Sequence, residues 1–206
     1  MSAPVVLGAE QMDALREIGN IGAGNAATAL SQLMGQPVQM GIPTVKFLPV
    51  EEIAAEFGDQ DTIVAAMFLG VTGDAPGHML FVMSEESAHN VVDTLLGATG
   101  SYTPGEFGEM ELSALQEVGN IMTGSYLGAL AQITGLRLEP TPPAVGVDLA
   151  GALVGAALVE IAMVSDTALL LESTFADDNT PSAGDFLYVP TNEGLALVLD
   201  RLGLGE

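Results

Sequence analysis

The sequence predicts an α/β sandwich in which a pseudo-twofold axis relates two copies of one unit, each built as helix, strands, hairpin and helix. Three observations predict this fold. A long helical pattern near the start of the 206-residue chain recurs 100 positions later. Extended stretches and an apolar hairpin follow each copy. Hairpins pair antiparallel, which argues against a doubly wound parallel sheet. We therefore expect a largely antiparallel sheet with the two repeated helices packed on it.

The first repeated helix is predicted over about residues 10–34. Its apolar residues recur at spacings of three and four, as on one face of a helix: Met12, Leu15, Ile18, Ala26, Leu30 and Leu33. Gly35 follows as a left-handed cap, and Pro37 prevents the helix from continuing. The second copy covers about residues 108–134, and Gly135 takes the place of Gly35.

Strands follow each helix in the same order. The predicted segments are the extended stretches 37–48 and 137–147, the hairpin of 63–71 with 78–83, and the hairpin of 167–175 with 186–189 around a polar loop at 177–184. Ser84 and Thr191 are expected to cap the helices that close each half. The segment 149–160 fits a helix or a buried strand, and periodicity does not decide between them.

The domain organisation follows from the repeat. We expect a single domain over residues 1–206, made of two repeats at about 8–100 and 106–206 with a linker near 98–106. The length is sufficient for one apolar core. The uncharged stretch 18–45 contains too many amides and glycines for a lipid-facing span, and no secretory pattern precedes it. A cytoplasmic protein is therefore expected.

Composition excludes several classes of function. Four basic residues face 27 acidic ones, for a net charge of −23, so nucleic acid and anionic membranes are poor partners. The chain has no cysteine, which excludes disulfides, thiolate metal sites and cysteine nucleophiles. The charge has two explanations: a basic partner, or a salt-rich cytosol that screens an acidic surface. Scarcity of lysine along the whole chain favours the halophilic explanation, although a charged fraction of 15% is low for it.

The repeated helices share a polar stripe at the same spacing in both copies: Asp13, Glu17 and Asn20 in the first, and Ser113, Glu117 and Asn120 in the second. Residues three and four apart lie on one helix face, here opposite the apolar face. A single outward Glu is ordinarily a solvated residue. A single mid-helix Asn costs about 0.5 kcal/mol relative to Ala and ordinarily makes a local hydrogen bond. Occurrence of both at the same spacing in both halves favours a functional site.

The chemistry available to this pair is limited. A primary amide is neither an acid nor a base near neutral pH, but it can hold a water molecule by donating and accepting hydrogen bonds at once. Such positioning suits hydrolysis of a phosphoryl group, in which an in-line water attacks. A projecting Glu could anchor a cation on whatever carries the phosphate. No histidine lies near either pair in the sequence, and no metal-binding cluster is recognisable.

A glycine-rich run in the first helix resembles a dinucleotide-binding fingerprint, with Gly22, Gly24 and Ala27 at the required spacing. That motif needs a strand before it and a helix that begins at it. Here the preceding residues are helical, and the second copy breaks the spacing at Met122. Close helix packing is the preferred explanation of the glycines.

The histidines and acidic pairs receive structural explanations. His78 is expected on a hairpin strand, and His89 on the exposed side of a helix. The pairs at 51–52 and 177–178 are expected to be solvated turns, so we predict no metal site.

The frame Asp/Ser-x3-Glu-x2-Asn-x22-Pro occurs twice, completed by Pro43 and Pro143. It resembles the CheC family of chemotaxis phosphatases, which includes CheX and part of FliY. Two intact motifs are similar to the CheC type, whereas CheX keeps one site per chain and dimerises. The resemblance therefore implies a monomer, and the absence of a motor-switch extension after residue 206 disfavours full-length FliY.

The resemblance also implies an activity. Family members hydrolyse the aspartyl phosphate of the response regulator CheY. Asn20 and Asn120 would orient the attacking water, and Glu17 and Glu117 would contact a lysine of CheY. The magnesium ion would belong to CheY, so no cofactor is expected in this chain. The prolines would end the return strand beneath each helix, and CheD would be a regulatory partner.

Two other functions stay open at this point. One is a CheD-binding adaptor with little phosphatase activity, in which the two halves serve as a docking surface. The other is a sensor that binds a small molecule, for which the sequence offers no motif.

Overall fold

A computed structural model describes residues 7–57, 59–97, 103–176 and 181–205. Six helices and eight strands alternate within these ranges: α1 Ala9–Met34, β1 Gln39–Met40, β2 Thr44–Pro49, α2 Val50–Glu56, β3 Ile63–Gly73, β4 Gly77–Ser84, α3 Glu85–Leu96, α4 Glu109–Thr134, β5 Leu138–Pro140, β6 Ala144–Leu149, α5 Ala150–Ala162, β7 Thr167–Ala176, β8 Pro181–Pro190 and α6 Asn192–Arg201. The predicted α/β fold with a repeated helix, strands, hairpin and helix is confirmed. No helix in these ranges is both long and apolar enough to cross a membrane.

The strands form one antiparallel sheet of eight strands. Hairpins β3–β4 and β7–β8 meet at its centre, where β4 pairs with β8. The strands that follow each repeated helix pair with the hairpin of the other half: β2 pairs with β7, and β6 pairs with β3. Each half therefore completes the sheet of the other, and the two repeats share one continuous hydrogen-bond ladder.

Alternation along the strands divides the core into two layers. On β4, Met79 and Phe81 face the layer covered by α1, α3, α4 and α6, while Leu80 and Val82 face the layer covered by α2 and α5. A strand that is buried on both faces places successive side chains on opposite sides of the sheet. The molecule is therefore a three-layer sandwich, with the two motif helices together on one face.

The repeated helices have the same length and are held by equivalent ends. Each has 26 residues and begins after a glycine. The N–H groups of Gly8 and Gly108 donate to the side chains of Gln11 (2.7 Å) and Glu111 (2.5 Å). At the other ends, Gly35 and Gly135 have the left-handed φ of 66° and 69° that favours glycine. Each motif therefore lies at the same distance from the ends of its helix.

The closing helices and the ambiguous segment are now defined. The side chains of Ser84 and Thr191 accept the N–H groups of Ser87 and Gly194, so both predicted caps are confirmed. The segment predicted as helix or strand at 149–160 is largely helix α5. Alanine and leucine, which favour helices, supply seven of the 13 residues of α5.

Several local predictions are corrected by the structure. The acidic pair at 51–52 does not lie in a loop as predicted. It belongs to the first turn of helix α2, where the helix dipole favours anions. His89 is buried, not exposed, because its ring stacks on Phe107 at a centroid distance of 4.3 Å. Pro43 and Pro143 do not end strands but lie directly before β2 and β6, where a missing N–H costs no ladder bond. The linker core at 98–102 and the acidic pair at 177–178 lie outside the described residues.

Candidate functional site

The four motif side chains lie on the outer faces of α1 and α4. Glu17, Glu117 and Asn120 are exposed, and Asn20 is half-buried. The residues beside them on the inner faces are core residues: Leu15, Ile18, Leu115 and Val118, all at most 7% exposed. The apolar residues fix the rotation of each helix on the sheet, so the Glu and the Asn must point away from it. The structure thus presents one motif stripe on each of two neighbouring helices.

No hydrogen bond or ion pair engages Glu17, Asn20, Glu117 or Asn120 within the part of the chain that the structure describes. The structural explanation for a mid-helix Asn requires a bond to a neighbouring helix or to the local backbone. Neither bond is present for Asn20 or Asn120. Their amides therefore retain their full capacity to donate and accept hydrogen bonds.

The first position of the motif differs between the two copies. Asp13 forms an ion pair with Arg16 at 2.6 Å on the exposed face of α1. The second copy has Ser113 and Gln116 in these places, so it carries neither charge. The ion pair holds the guanidinium near Asp13, one turn before Glu17. The surroundings of the two sites are therefore not electrostatically identical.

The prolines that complete the frame lie outside the motif helices. Pro43 is buried and Pro143 is half-buried, each directly before the strand that pairs with the other half's hairpin. They lie in the loops that follow the motif helices, and no contact brings them to the Glu–Asn stripes. Their place in the fold indicates a structural contribution to the loop.

Gly22 confirms the packing explanation given for the glycine-rich run, and Gly119 in the second copy is packed as closely. A Cβ on Gly22 would lie 2.5 Å from the ring of Tyr126, and a Cβ on Gly119 would lie 1.9 Å from the sulfur of Met67. Both glycines are needed for the close approach of helix α1 to α4 and of α4 to the sheet. The run is mid-helix with no strand before it, so it is no nucleotide fingerprint.

The same explanation is wrong for Gly24 and Gly124. A Cβ at either position would meet no atom within 4 Å, so packing within the chain does not require glycine there. The sequence shows that this glycine recurs four residues after the Asn in each copy, but sequence reasoning assigned it to helix packing and not to the site.

Arg16 is the one basic residue in the motif helices, and it pairs with Asp13. Elsewhere, Lys46 is held by Glu56 and Glu172 at 2.5 and 2.6 Å, and Arg137 pairs with Glu139. No cluster of three or more His, Cys, Asp or Glu side chains that could hold a metal ion occurs among the described residues. His78 stacks on Phe68, and burial lowers its pKa. The stripes thus offer a carboxylate and an amide to a positively charged partner surface.

Comparison with known proteins places the chain in a family. The pattern of the CheC-like family matches residues 10–46 and 110–147, which contain both motifs. The protein named CheY-P phosphatase CheC in Bacillus subtilis is 40% identical over 172 residues, which cover 82% of each chain. The chain belongs to the CheC-like family.

Two other relatives agree with this result. CheC1 of Halobacterium salinarum is 34% identical over 167 residues, covering 77% of this chain and 82% of that protein. The flagellar motor switch phosphatase FliY of Bacillus subtilis is 33% identical over 135 residues, which span 66% of this chain and 35% of FliY. The similarity to CheC1 therefore covers most of both proteins, whereas the similarity to FliY covers only part of that longer protein.

Solved structures share the fold. FliY of Thermotoga maritima superposes with a TM-score of 0.77 at 22% identity, covering 98% of this chain and all of that one. CheX in the CheX–CheY–BeF3–Mg2+ complex of Borrelia burgdorferi gives a TM-score of 0.52 at 18% identity, covering 84% of this chain and 98% of that one. At these identities the likeness concerns the fold of CheC-like proteins.

Proposed function

We propose that this protein hydrolyses the aspartyl phosphate of a CheY-type response regulator, with one site at each Glu–Asn stripe. The observation that carries the proposal is the pair of unpartnered, outward-facing Asn side chains, Asn20 and Asn120, at equivalent positions of α1 and α4. An exposed helix face suits a phosphate that is bound to another protein, because such a substrate cannot enter a closed pocket.

The names of the relatives support the same activity. One Bacillus subtilis relative is named a CheY-P phosphatase and another a flagellar motor switch phosphatase. The structural neighbour CheX was crystallised with CheY, BeF3 and Mg2+. These names favour hydrolysis over the alternative of a CheD-binding adaptor without phosphatase activity.

In the proposed reaction, the amide of Asn20 or Asn120 holds a water molecule in line with the phosphorus atom. The water oxygen bonds to phosphorus while the bond from phosphorus to the aspartyl oxygen breaks. The regulator's carboxylate leaves, and the protons of the water go to the phosphate and to solvent. The amide contributes orientation and takes no proton, since positioning dominates catalysis of phosphoryl transfer.

The Glu of each stripe would bind the partner. Glu17 and Glu117 lie one turn before the Asn, so a lysine of the regulator that reaches the carboxylate brings the phosphate toward the amide. Exposed ion pairs of this kind are weak and are screened by salt. We therefore expect Glu to set affinity and orientation, and Asn to set the rate.

The remaining partners belong to the same proposal. Mg2+ would be held by the regulator, and this chain would need no cofactor of its own. A monomer acting in the cytoplasm with two sites, and with CheD as a regulatory partner, fits the family. A relative in Halobacterium salinarum supports a salt-rich cytosol as the origin of the net charge of −23.

The proposal is tested by the decay of a phosphorylated CheY in molar salt, alone, with the wild-type chain, and with Asn20→Ala/Asn120→Ala. We expect the wild type to accelerate the decay and the double variant to lose about 100-fold of the acceleration. The single variants then give the share of each site. Binding of phosphorylated CheY or CheD without any acceleration by the wild type would support the adaptor function instead.

A further inference from the structure

Gly24 and Gly124 have no explanation within the fold. Both lie in the interior of a 26-residue helix, where glycine is among the least favourable residues. Both are exposed, and a Cβ on either would meet no atom within 4 Å. Neither has the positive φ that would exclude other residues. The chain therefore carries a destabilising residue twice at positions where the fold leaves room for a Cβ.

The position of these glycines connects them with the motif. Each follows its Asn by four residues and its Glu by seven, so Glu17, Asn20 and Gly24 lie one above another on one face of α1. Glu117, Asn120 and Gly124 repeat the arrangement on α4.

The next position along the stripe shows that glycine is not required over the whole helix face. One turn beyond Gly124 lies Gly128, but the first copy has Thr28 there, whose hydroxyl donates to the carbonyl of Gly24 at 3.0 Å. A side chain is therefore tolerated one turn farther along the stripe. Of the two stripe positions that follow the Asn, glycine is common to both copies only at the first, one turn from the amide.

We infer that Gly24 and Gly124 are positioning residues for the proposed reaction. They keep the helix surface bare beside the Asn, so that the docked response regulator approaches the backbone closely enough for the amide to reach the attacking water. A side chain at either position would hold the regulator away by the thickness of that side chain. The inference rests on the proposed function, because it concerns the same site and the same partner.

The test uses Gly24→Gln/Gly124→Gln and Gly24→Ala/Gly124→Ala in the full chain. Alanine and glutamine favour helix over glycine, so the melting temperature should rise in both variants. The acceleration of phosphorylated CheY decay should fall, by about tenfold or more with Gln and by less with Ala. A rise in stability together with a loss of activity is the result that a merely structural role could not give.

The matched control is Gly155→Gln. Gly155 lies within α5 on the opposite face of the sheet, and a Cβ there also meets nothing within 4 Å. This variant should stabilise the protein and leave the decay unchanged. Full activity of the Gly24→Gln/Gly124→Gln variant would overturn the inference, and so would a fall in its melting temperature.

The binding of CheY carrying BeF3 separates this inference from the proposed function. If the wild type binds it but does not accelerate decay, the proposed hydrolysis fails, and the glycines are then judged by affinity. Weaker binding by the Gln variant than by the Gly155→Gln control supports their role in docking, and equal binding overturns it. If the wild type does not bind, both proposals fall together.

Discussion

The motif asparagines differ from several hydroxyl side chains along α1 and α4 in what their polar atoms contact. Thr28 and Ser125, for example, donate their hydroxyls to carbonyls one turn earlier in the helix, at 3.0 and 2.7 Å. Such bonds satisfy a polar group within its own helix. Within the described residues, Asn20 and Asn120 make no comparable bond. Unused hydrogen-bonding capacity at two equivalent positions is what a water-positioning site requires.

A cluster of charged side chains lies where the two halves meet, away from the motifs. Lys46 on β2 binds Glu56 and Glu172, and Asp185 on β8 stands opposite Glu172 in the sheet register. The hydrogen bonds that Lys46 donates to Glu172 and Glu56 raise the pKa of its ammonium group. Burial, and then the charge of Glu172, raise the pKa of Asp185 to about 6.

This raised pKa predicts the effect of Asp185→Asn. Because the folded chain holds the proton more tightly than the unfolded chain, stability from this group falls as the pH rises from about 4 to about 6. The neutral amide avoids that loss, so the variant should be more stable than the wild type at pH 8 and more stable by a smaller margin at pH 5. Urea unfolding at both pH values measures the difference. A variant that is less stable than the wild type at pH 8 would contradict the assignment.

Among the elements, the two motif helices are equal in length but pack unequally. Gly22 of α1 lies under the ring of Tyr126, which stacks in turn on Phe186 at 4.8 Å. The second copy has Met122 where the first has Gly22, and the first has Ala26 where the second has Tyr126. A large residue in one helix thus opposes a small one in the other, and the contact between α1 and α4 depends on this pairing.

The pairing predicts opposite effects for two neighbouring glycines. Gly22→Ala should destabilise the protein by about 1–2 kcal/mol, because the new methyl group overlaps a buried ring and this outweighs the gain in helix propensity. Gly24→Ala, two residues away and facing open space, should stabilise it. Urea unfolding of both variants makes the comparison. Equal changes in the free energy of unfolding would contradict the prediction, because they would show that the ring of Tyr126 moves to accommodate the new methyl group.

At the scale of elements, periodicity was sufficient for the long helices and the first hairpin. The 26-residue helices carry a sustained apolar stripe and glycine caps, and the hairpin surrounds a Gly/Pro turn. Helix α2 was missed because its seven residues are too few to establish a helical period. The burial of His89 was missed because it depends on Phe107, a contact between residues 18 positions apart that no local pattern contains. The site residues stay a prediction, and they stood out in the sequence because the duplication repeats them.

On the scale of the whole molecule, the sheet ties the two repeats together. Strand β2 of the first half lies on β7 of the second, and β6 of the second lies on β3 of the first. Sequence repeats indicate that two units exist but not which strands they exchange, because pairing depends on contacts distant in the chain. The continuous sheet holds α1 and α4, and therefore both stripes, on one side.

The acidic surface is also a property of the whole molecule. Within the described residues, Arg16, Lys46 and Arg137 form ion pairs. With four basic residues in the chain, most of the 27 acidic residues have no compensating charge. Self-repulsion of a net charge of −23 destabilises the compact state, and salt screens it. The melting temperature should therefore rise between 0.05 and about 1 M KCl, where the Debye length is about 3 Å. A melting temperature that stays constant or falls would refute the halophilic explanation of the charge.

The central claim is that the amides of Asn20 and Asn120 position the attacking water while the glutamates hold the partner. The most direct measurement is the decay of phosphorylated CheY at saturating concentrations of the wild type, Asn20→Ala/Asn120→Ala and Glu17→Gln/Glu117→Gln, together with the affinity of each for CheY carrying BeF3. We predict that the Asn variant keeps its affinity within about threefold but loses about 100-fold of the rate. The Glu variant should lose affinity and keep most of the saturating rate. An Asn variant that binds weakly but hydrolyses at the wild-type rate when saturated would contradict the account.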